Sequence, residues 1–295
     1  KYIAASPGMI ETLKKAIFLN IKLEENSESI PAILIVGGPG TGKERLSKII
    51  WLFTEDIFNK NTQPIEIKIN MASIGALKPQ KSLGDVLGEK LSQLYEDEKP
   101  LVIIFDELNS LSLEDQGMLL RLIENKDFSD IRLTNSISPE NLKSKKILLI
   151  GIMNEDPELL TKTEKIMRIV SDEKLFGGII GDILYDYFKH HLRRLREDLY
   201  FRFQRYGIIK IPELNERRED IPILFYNFLK RNGINNPIIE YEVFELLMDK
   251  SIQWPGNIRQ LQAVAKEVSN RVTEGVELID YFMVQEVLSN IGMIK

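Results

Sequence analysis

Residues 31–50 read PAILIVGGPGTGKERLSKII, an apolar strand pattern running through a glycine-rich loop into a helix pattern. That order constrains the fold more than any other feature of the chain. It predicts a buried strand of a parallel sheet with a turn at its carboxyl end, where ligands of open α/β sheets bind. Gly37, Gly40 and Gly42 let backbone N–H groups turn inward around phosphate oxygens, and the N-terminus of the following helix favours the same negative charge. Lys43 then reaches the β- and γ-phosphates as a point charge. The candidate nucleotide-binding segment is Gly37, Gly38, Pro39, Gly40, Thr41, Gly42, Lys43 and Glu44. The competing reading is an ordinary strand–turn–helix corner with a solvated Lys43. Glu44 stands where the usual motif has a Mg²⁺-holding hydroxyl, and a carboxylate in a first helical turn also suits the helix dipole.

Further strand-length runs follow at Ile65–Asn70, Leu101–Phe105 and Ile147–Ile152, alternating with amphipathic stretches at Glu44–Phe58, Leu83–Tyr95 and Leu113–Ile123. Strands apolar throughout, separated by helical patterns, predict a mostly parallel sheet covered on both faces. Beyond Pro212 the strand signals stop. Helix-period spacing at Ile221–Leu229, Tyr241–Met248 and Ile258–Val268 predicts a small helical domain over the last ~80 residues. The expected division is therefore an α/β nucleotide-binding domain at 1–212 and an α-helical lid at 213–295.

Composition excludes several classes. Without a cysteine there are no disulfides, thiol nucleophiles or thiolate metal sites. A formal net charge of −5 argues against non-specific nucleic-acid binding by this segment. The apolar runs are far too short to span a bilayer, and no secretory signal opens the chain, so a cytoplasmic location is expected. The chain opens on Lys1 and ends without a tail or linker, which predicts a domain cut from something longer.

The strand LVIIFDELNS ends in two adjacent carboxylates. Asp106 is placed to hold Mg²⁺ and Glu107 to polarise an attacking water; the alternative is a solvated acidic turn. Asn154, just after the strand ending GIM, falls at the carboxyl edge of the sheet, where an amide can orient that water or merely make a turn. Arg196 and Arg202 lie six positions apart, and by spacing alone they read as solvated arginines on a short helix. In WPGNIRQL, Pro255-Gly256 makes a turn, Asn257 reads as a helix cap, and Arg259 falls in the first helical turn, where a cation opposes the dipole unless an anion offsets it.

Taken in order, these stretches resemble the AAA+ ATPase domain of bacterial enhancer-binding proteins, the activators of sigma-54 RNA polymerase. The resemblance runs from Ala5–Met9 to Trp254–Leu261 and is most specific in GTGKE, LREDLYFR, IPELNERREDI and WPGNIRQL. In that family a glutamate ordinarily follows the loop lysine, so Glu44 is a family mark. The resemblance implies ATP and Mg²⁺ as cofactors, with Lys43 on phosphate and Asp106-Glu107 as the Mg²⁺ and water pair. It further implies Asn154 as first sensor and Arg259 as second sensor on the lid. Arg196 and Arg202 would be fingers inserted by a neighbouring subunit, and Asn70 the asparagine that holds the catalytic glutamate switched off. It also implies a homo-oligomeric ring, commonly a hexamer, acting on a protein partner.

Two departures qualify it. The Gly-Ala-Phe-Thr-Gly-Ala loop that contacts sigma-54 in the family is absent: after LGDVLGEKL the chain runs through SQLYEDEKP into the next strand. The stretch from Asn154 to Arg196 is also longer than in the family. The extra residues, roughly Pro157–Leu195, predict an insert that includes LFGGIIGDILYDYFKHHL; its His190 and His191 read as solvated. The leading expectation is an ATP-hydrolysing AAA+ module that forms a ring and remodels a protein partner, without direct nucleic-acid or membrane contact. The rivals are a sigma-54-dependent regulator with a diverged contact loop, and a nucleotide-gated scaffold with little hydrolysis.

Overall fold

The structure is a computed structural model describing residues 5–19, 27–54, 64–77, 81–93, 99–133, 138–171, 194–272 and 278–294. Its residues group into two compact units. One is continuous in sequence except at the glycine loop (Ala16–Val36 and Ser47–Ile209); the other gathers the residues up to Lys15, Gly37–Leu46, and those from Lys210 onward.

The larger unit is built on a five-stranded sheet of order β2-β3-β4-β1-β5, from β1 (Ala32–Val36), β2 (Ile65–Asn70), β3 (Leu101–Asp106), β4 (Ile147–Met153) and β5 (Ile208–Lys210). The pairs β1–β4, β3–β4 and β2–β3 are parallel. Every residue of β1 and β4 is buried, which is why those segments are apolar without alternation: both faces are covered. The edge strand β2 instead alternates, with Ile67 and Ile69 buried and Glu66, Lys68 and Asn70 exposed. An exposed polar row with a lysine also protects an edge from pairing with another chain.

Around the sheet run α2 (Lys43–Thr54), α3 (Met71–Leu77), α4 (Leu83–Ser92), α5 (Leu113–Asn125), α6 (Pro139–Ser144), α7 (Pro157–Ser171) and α8 (Glu197–Tyr206). Their starts follow local chemistry. Ser82 and Asp85 form a reciprocal capping box on α4, and the side chains of Ser112 and Ser138 accept an N–H from the first turns of α5 and α6. Phe105, Leu108, Leu119, Leu122 and Phe203 fill the core of this unit. Of the expected insert, Pro157–Ser171 is helical; the segment with His190 and His191 lies outside the described residues, as does Tyr95.

The smaller unit holds most of α1 (Pro7–Ile17), with α9 (Ile221–Arg231), α10 (Tyr241–Met248), α11 (Asn257–Arg271) and α12 (Tyr281–Asn290). Trp254 is fully buried among Phe225, Phe228, Leu261 and Val264, and its indole N–H donates to Leu247 O at 3.2 Å. Two features differ from the sequence reading. Strand pairing does not stop at Pro212, because β6 (Ile238–Ile239) and β7 (Leu278–Ile279) form a short parallel pair. Two residues are too few to carry a period. Asn257 is also not the cap of α11: its backbone sits in the left-handed region at φ 52, with Gly256 in the cap position.

The run RRED holds an ion pair. Arg217 and Asp220 are 1% and 0% exposed, with Arg217 Nη1 3.5 Å from Asp220 Oδ2. Asp220 also accepts the backbone N–H groups of Ala5 and Ser6 and the Ser6 hydroxyl, while Arg217 Nη2 donates to Thr41 O at 2.8 Å. One buried pair thus ties the start of α1 and the glycine loop to residues 217–220.

Candidate functional site

The site is built in two parts, each within one unit. The first is the glycine loop. Gly40 has φ +75 and Gly42 φ +104, conformations that suit residues without a Cβ. A Cβ on Gly40 would collide with Gly256 O. Donors engage the loop's carbonyls in turn. Lys43 Nζ donates to Gly37 O at 2.6 Å and Gly38 O at 2.9 Å. Asn257 Nδ2 donates to Pro39 O at 3.1 Å, Ile258 N–H to Gly40 O at 3.1 Å, and Arg217 to Thr41 O. A trans peptide carries C=O and N–H on opposite sides. Fixing the Pro39 and Thr41 carbonyls therefore aims the Gly40 and Gly42 N–H groups the other way, as a phosphate cradle requires.

Asn257 is central to that arrangement: it gives its amide N–H to Pro39 and accepts Leu214 N–H at 2.6 Å. Its left-handed backbone costs about 1 kcal/mol, and the two side-chain bonds offset that. Glu44 lies in the first turn of α2. Arg259 is exposed in the first turn of α11, with its backbone N and Cβ against Gly40. The Glu213 carboxylate also stands at the loop, 2.6 Å from where a Gly38 Cβ would be.

The second part lies along the carboxyl edge of the sheet. Register aligns Val36, the last residue of β1, with Met153 of β4, and Phe105 of β3 with Gly151. Asp106 and Glu107 therefore emerge at the same edge as Asn154, and Gly37 follows Val36 directly. Glu107 adopts φ 56, ψ 45, an uncommon left-handed conformation for a glutamate. Asp106 Oδ1 accepts the Glu107 N–H at 3.1 Å, while Oδ2 pairs with Lys68 Nζ at 3.1 Å. Asn154 Oδ1 is buried without a hydrogen-bond partner. A buried amide oxygen left unpaired is costly, and a bound water or ligand group would satisfy it.

The remaining candidates make contacts within their own unit. Asn70 Oδ1 accepts N–H groups from Ala72 and Ser73 at 2.9 and 3.3 Å, capping α3. Arg196 precedes α8 and grips Asp198 through two nitrogens at 3.0 and 2.6 Å. That carboxylate pushes the guanidinium pKa further up, so Arg196 stays charged. The Arg196 N–H is held by Gln116 Oε1 at 2.8 Å. Arg202 pairs with Glu124. Sequence reasoning missed Lys68, Arg217 and Asp220. Only RRED carried a signal, as charges within a stretch otherwise patterned for burial.

The residues fit a magnesium nucleotide. Taken separately, the loop offers a lysine and N–H groups turned away from its fixed carbonyls, and the sheet edge offers the Asp106 carboxylate and the unsatisfied Asn154 amide oxygen. Among the described residues no group of three or more metal-ligating side chains occurs. Magnesium keeps several waters and binds through one or two carboxylates plus phosphate oxygens, so a single carboxylate such as Asp106 is a chemically compatible donor.

Comparison with known proteins agrees with this geometry. Residues 32–168 match the family described as AAA domain (dynein-related subfamily), and residues 215–288 match the AAA+ ATPase lid domain. Transcriptional activator RocR of Bacillus subtilis is 28% identical over 289 positions, covering 92% of this chain and 50% of RocR. The chain is an AAA+ module, similar over most of its length to a module within transcriptional activators. Formate hydrogenlyase transcriptional activator FhlA of Escherichia coli is 27% identical to the module, covering 89% of this chain and 32% of FhlA. The module thus spans half or less of these curated relatives. Among solved structures, NtrX from Brucella abortus in complex with ATP shares the fold at TM-score 0.58 and 19% identity, covering 98% of this chain and 55% of NtrX. No helix among the described residues is long and apolar enough to cross a membrane.

Proposed function

We propose that the module binds and hydrolyses Mg²⁺-ATP, assembles into a homo-oligomeric ring, commonly hexameric in this family, and uses the cycle to remodel a protein partner in the cytoplasm. The observation that carries the reading is the edge alignment of β1, β3 and β4. It sets Asp106, Glu107 and the unsatisfied Asn154 beside the strand whose next residue opens the glycine loop. In this reading Lys43 and the N–H groups of the Gly37–Glu44 loop hold the phosphates, Asp106 the Mg²⁺, and Arg259 senses the nucleotide from the lid. Glu107 polarises the attacking water and Asn154 orients it. Asn70 restrains Glu107 in the resting state; its present bonds to Ala72 and Ser73 would have to exchange for that. Arg196 and Arg202 serve the neighbouring subunit's nucleotide once they leave Asp198 and Glu124. The functional division proposed is 1–212 as nucleotide-binding domain and 213–295 as lid.

The test is a pair of substitutions read for binding and turnover separately. Lys43→Ala should abolish ATP binding. Glu107→Gln should retain binding and stall hydrolysis. Equal turnover in wild type and Glu107→Gln would sink the catalytic assignment, while nucleotide binding without turnover in the wild type would favour a nucleotide-gated scaffold.

A further inference from the structure

The Mg²⁺-ligand carboxylate has a lysine beside it. β2 and β3 run in parallel with Asn70 opposite Asp106 and Lys68 opposite Ile104. Side chains on a strand alternate, so Lys68 and Asn70 share the exposed face of the edge strand. From two positions upstream, the lysine stem reaches along the strand and sets Nζ 3.1 Å from Asp106 Oδ2. The pair is partly sheltered, with side-chain exposures of 38% for Lys68 and 17% for Asp106. The other carboxylate oxygen already takes the Glu107 N–H. A divalent cation approaching Asp106, directly or through water, therefore meets a fixed ammonium at the same oxygen.

We propose that Lys68 is an internal counter-ion of Asp106 that competes with Mg²⁺ for Oδ2 and so sets the Mg²⁺ concentration at which the site responds. This rests on the Mg²⁺-ATP reading above. Magnesium gives up its waters reluctantly, so its hold on a single carboxylate is weak and readily tuned by a neighbouring charge. A +2 and a +1 charge roughly 5 Å apart in a largely aqueous dielectric repel enough to change an affinity on the order of tenfold. The ion pair also leaves Asp106 compensated when no metal is bound.

The experiment titrates Mg²⁺ against binding of a fluorescent ATP analogue to the full chain, starting from excess chelator. It compares wild type, Lys68→Met, Asp106→Asn and the double variant. The thermal midpoint of the nucleotide-free chain against Mg²⁺ gives a second readout that needs no turnover. Lys68→Met should lower the Mg²⁺ midpoint by about tenfold in both measurements. Asp106→Asn should abolish the Mg²⁺ response, and Lys68→Met should then change nothing further. Lys68→Gln, which keeps the edge strand polar, should reproduce the Met variant if the latter folds poorly. A midpoint within about twofold of wild type, or a shift that persists beside Asp106→Asn, overturns the proposal and leaves Lys68 an edge-protecting residue only. If the wild type binds the analogue at no Mg²⁺ concentration, both the nucleotide reading and this proposal fail; binding with no Lys68 effect sinks this proposal alone.

Discussion

Replacing Arg217 with methionine isolates what the buried ion pair contributes. Methionine preserves a long apolar stem but removes the guanidinium, so little cavity forms. The bond to Thr41 O is lost, and a carbonyl left unsatisfied costs about 1–2 kcal/mol. Asp220 loses its guanidinium partner in a fully buried position, where breaking a pair typically costs about 3–5 kcal/mol. Two backbone N–H groups and a hydroxyl still serve Asp220, which pulls the total to the lower end, about 3 kcal/mol. Trp254 reports the right unit, since it is buried in the lid core; Trp51→Phe removes the other of the two tryptophans. Urea unfolding followed by Trp254 fluorescence should show the midpoint falling by about 1–3 M for a slope of 1–3 kcal/mol/M. Asp220→Asn in the Arg217→Met background should cost less than the sum of the two single changes, because the orphaned charge disappears. A loss under about 1 kcal/mol, with the two changes additive, would refute the idea that this pair organises the unit.

Other expectations follow from the same geometry. Gly40→Ala forces a Cβ against Gly256 O at φ +75 and should weaken nucleotide binding by at least about tenfold, read by calorimetry, with Gly40→Ser no better. Mixing Arg196→Ala with Lys43→Ala subunits should restore part of the ATPase activity, and specific activity should rise with protein concentration, because fingers supplied in trans contribute roughly 10³–10⁵ in rate. Flat activity with no rescue would confine the arginines to their own subunit. Sigma-54 should not be captured in a nucleotide-dependent pull-down with an ATP transition-state analogue, since EKLSQLYEDEKP replaces the contact loop; stable capture would restore the transcription reading.

Much of the sheet was legible in the sequence because both of its faces are covered. β1, β3 and β4 read as unbroken apolar runs, with the glycine loop, Asp106-Glu107 and Asn154 at their respective ends. β5, β6 and β7 were not legible, being only two or three residues long. The Lys68–Asp106 pair depends on strand register, which no local pattern encodes. Arg217 and Asp220 lie in IPELNERREDI, but their pairing was not legible there because a buried ion pair has the same composition as a surface one. Asn257 illustrates a different failure. Its residue type suggested a cap, yet contacts with Pro39 and Leu214 override that local preference and hold it in the left-handed region.

The Asp220 bonds to Ala5 and Ser6 join residues 214 or more positions apart, and Arg217 reaches Thr41 across 176. Contacts of such separation form late, because the chain must lose its freedom over the whole intervening length before they return anything. A ribosome therefore exposes the glycine loop long before the residues that fix its carbonyls have been made. The bonds that fix the Pro39, Gly40 and Thr41 carbonyls come from Asn257, Ile258 and Arg217, so the loop can take its observed geometry only once the last third of these 295 residues has been made.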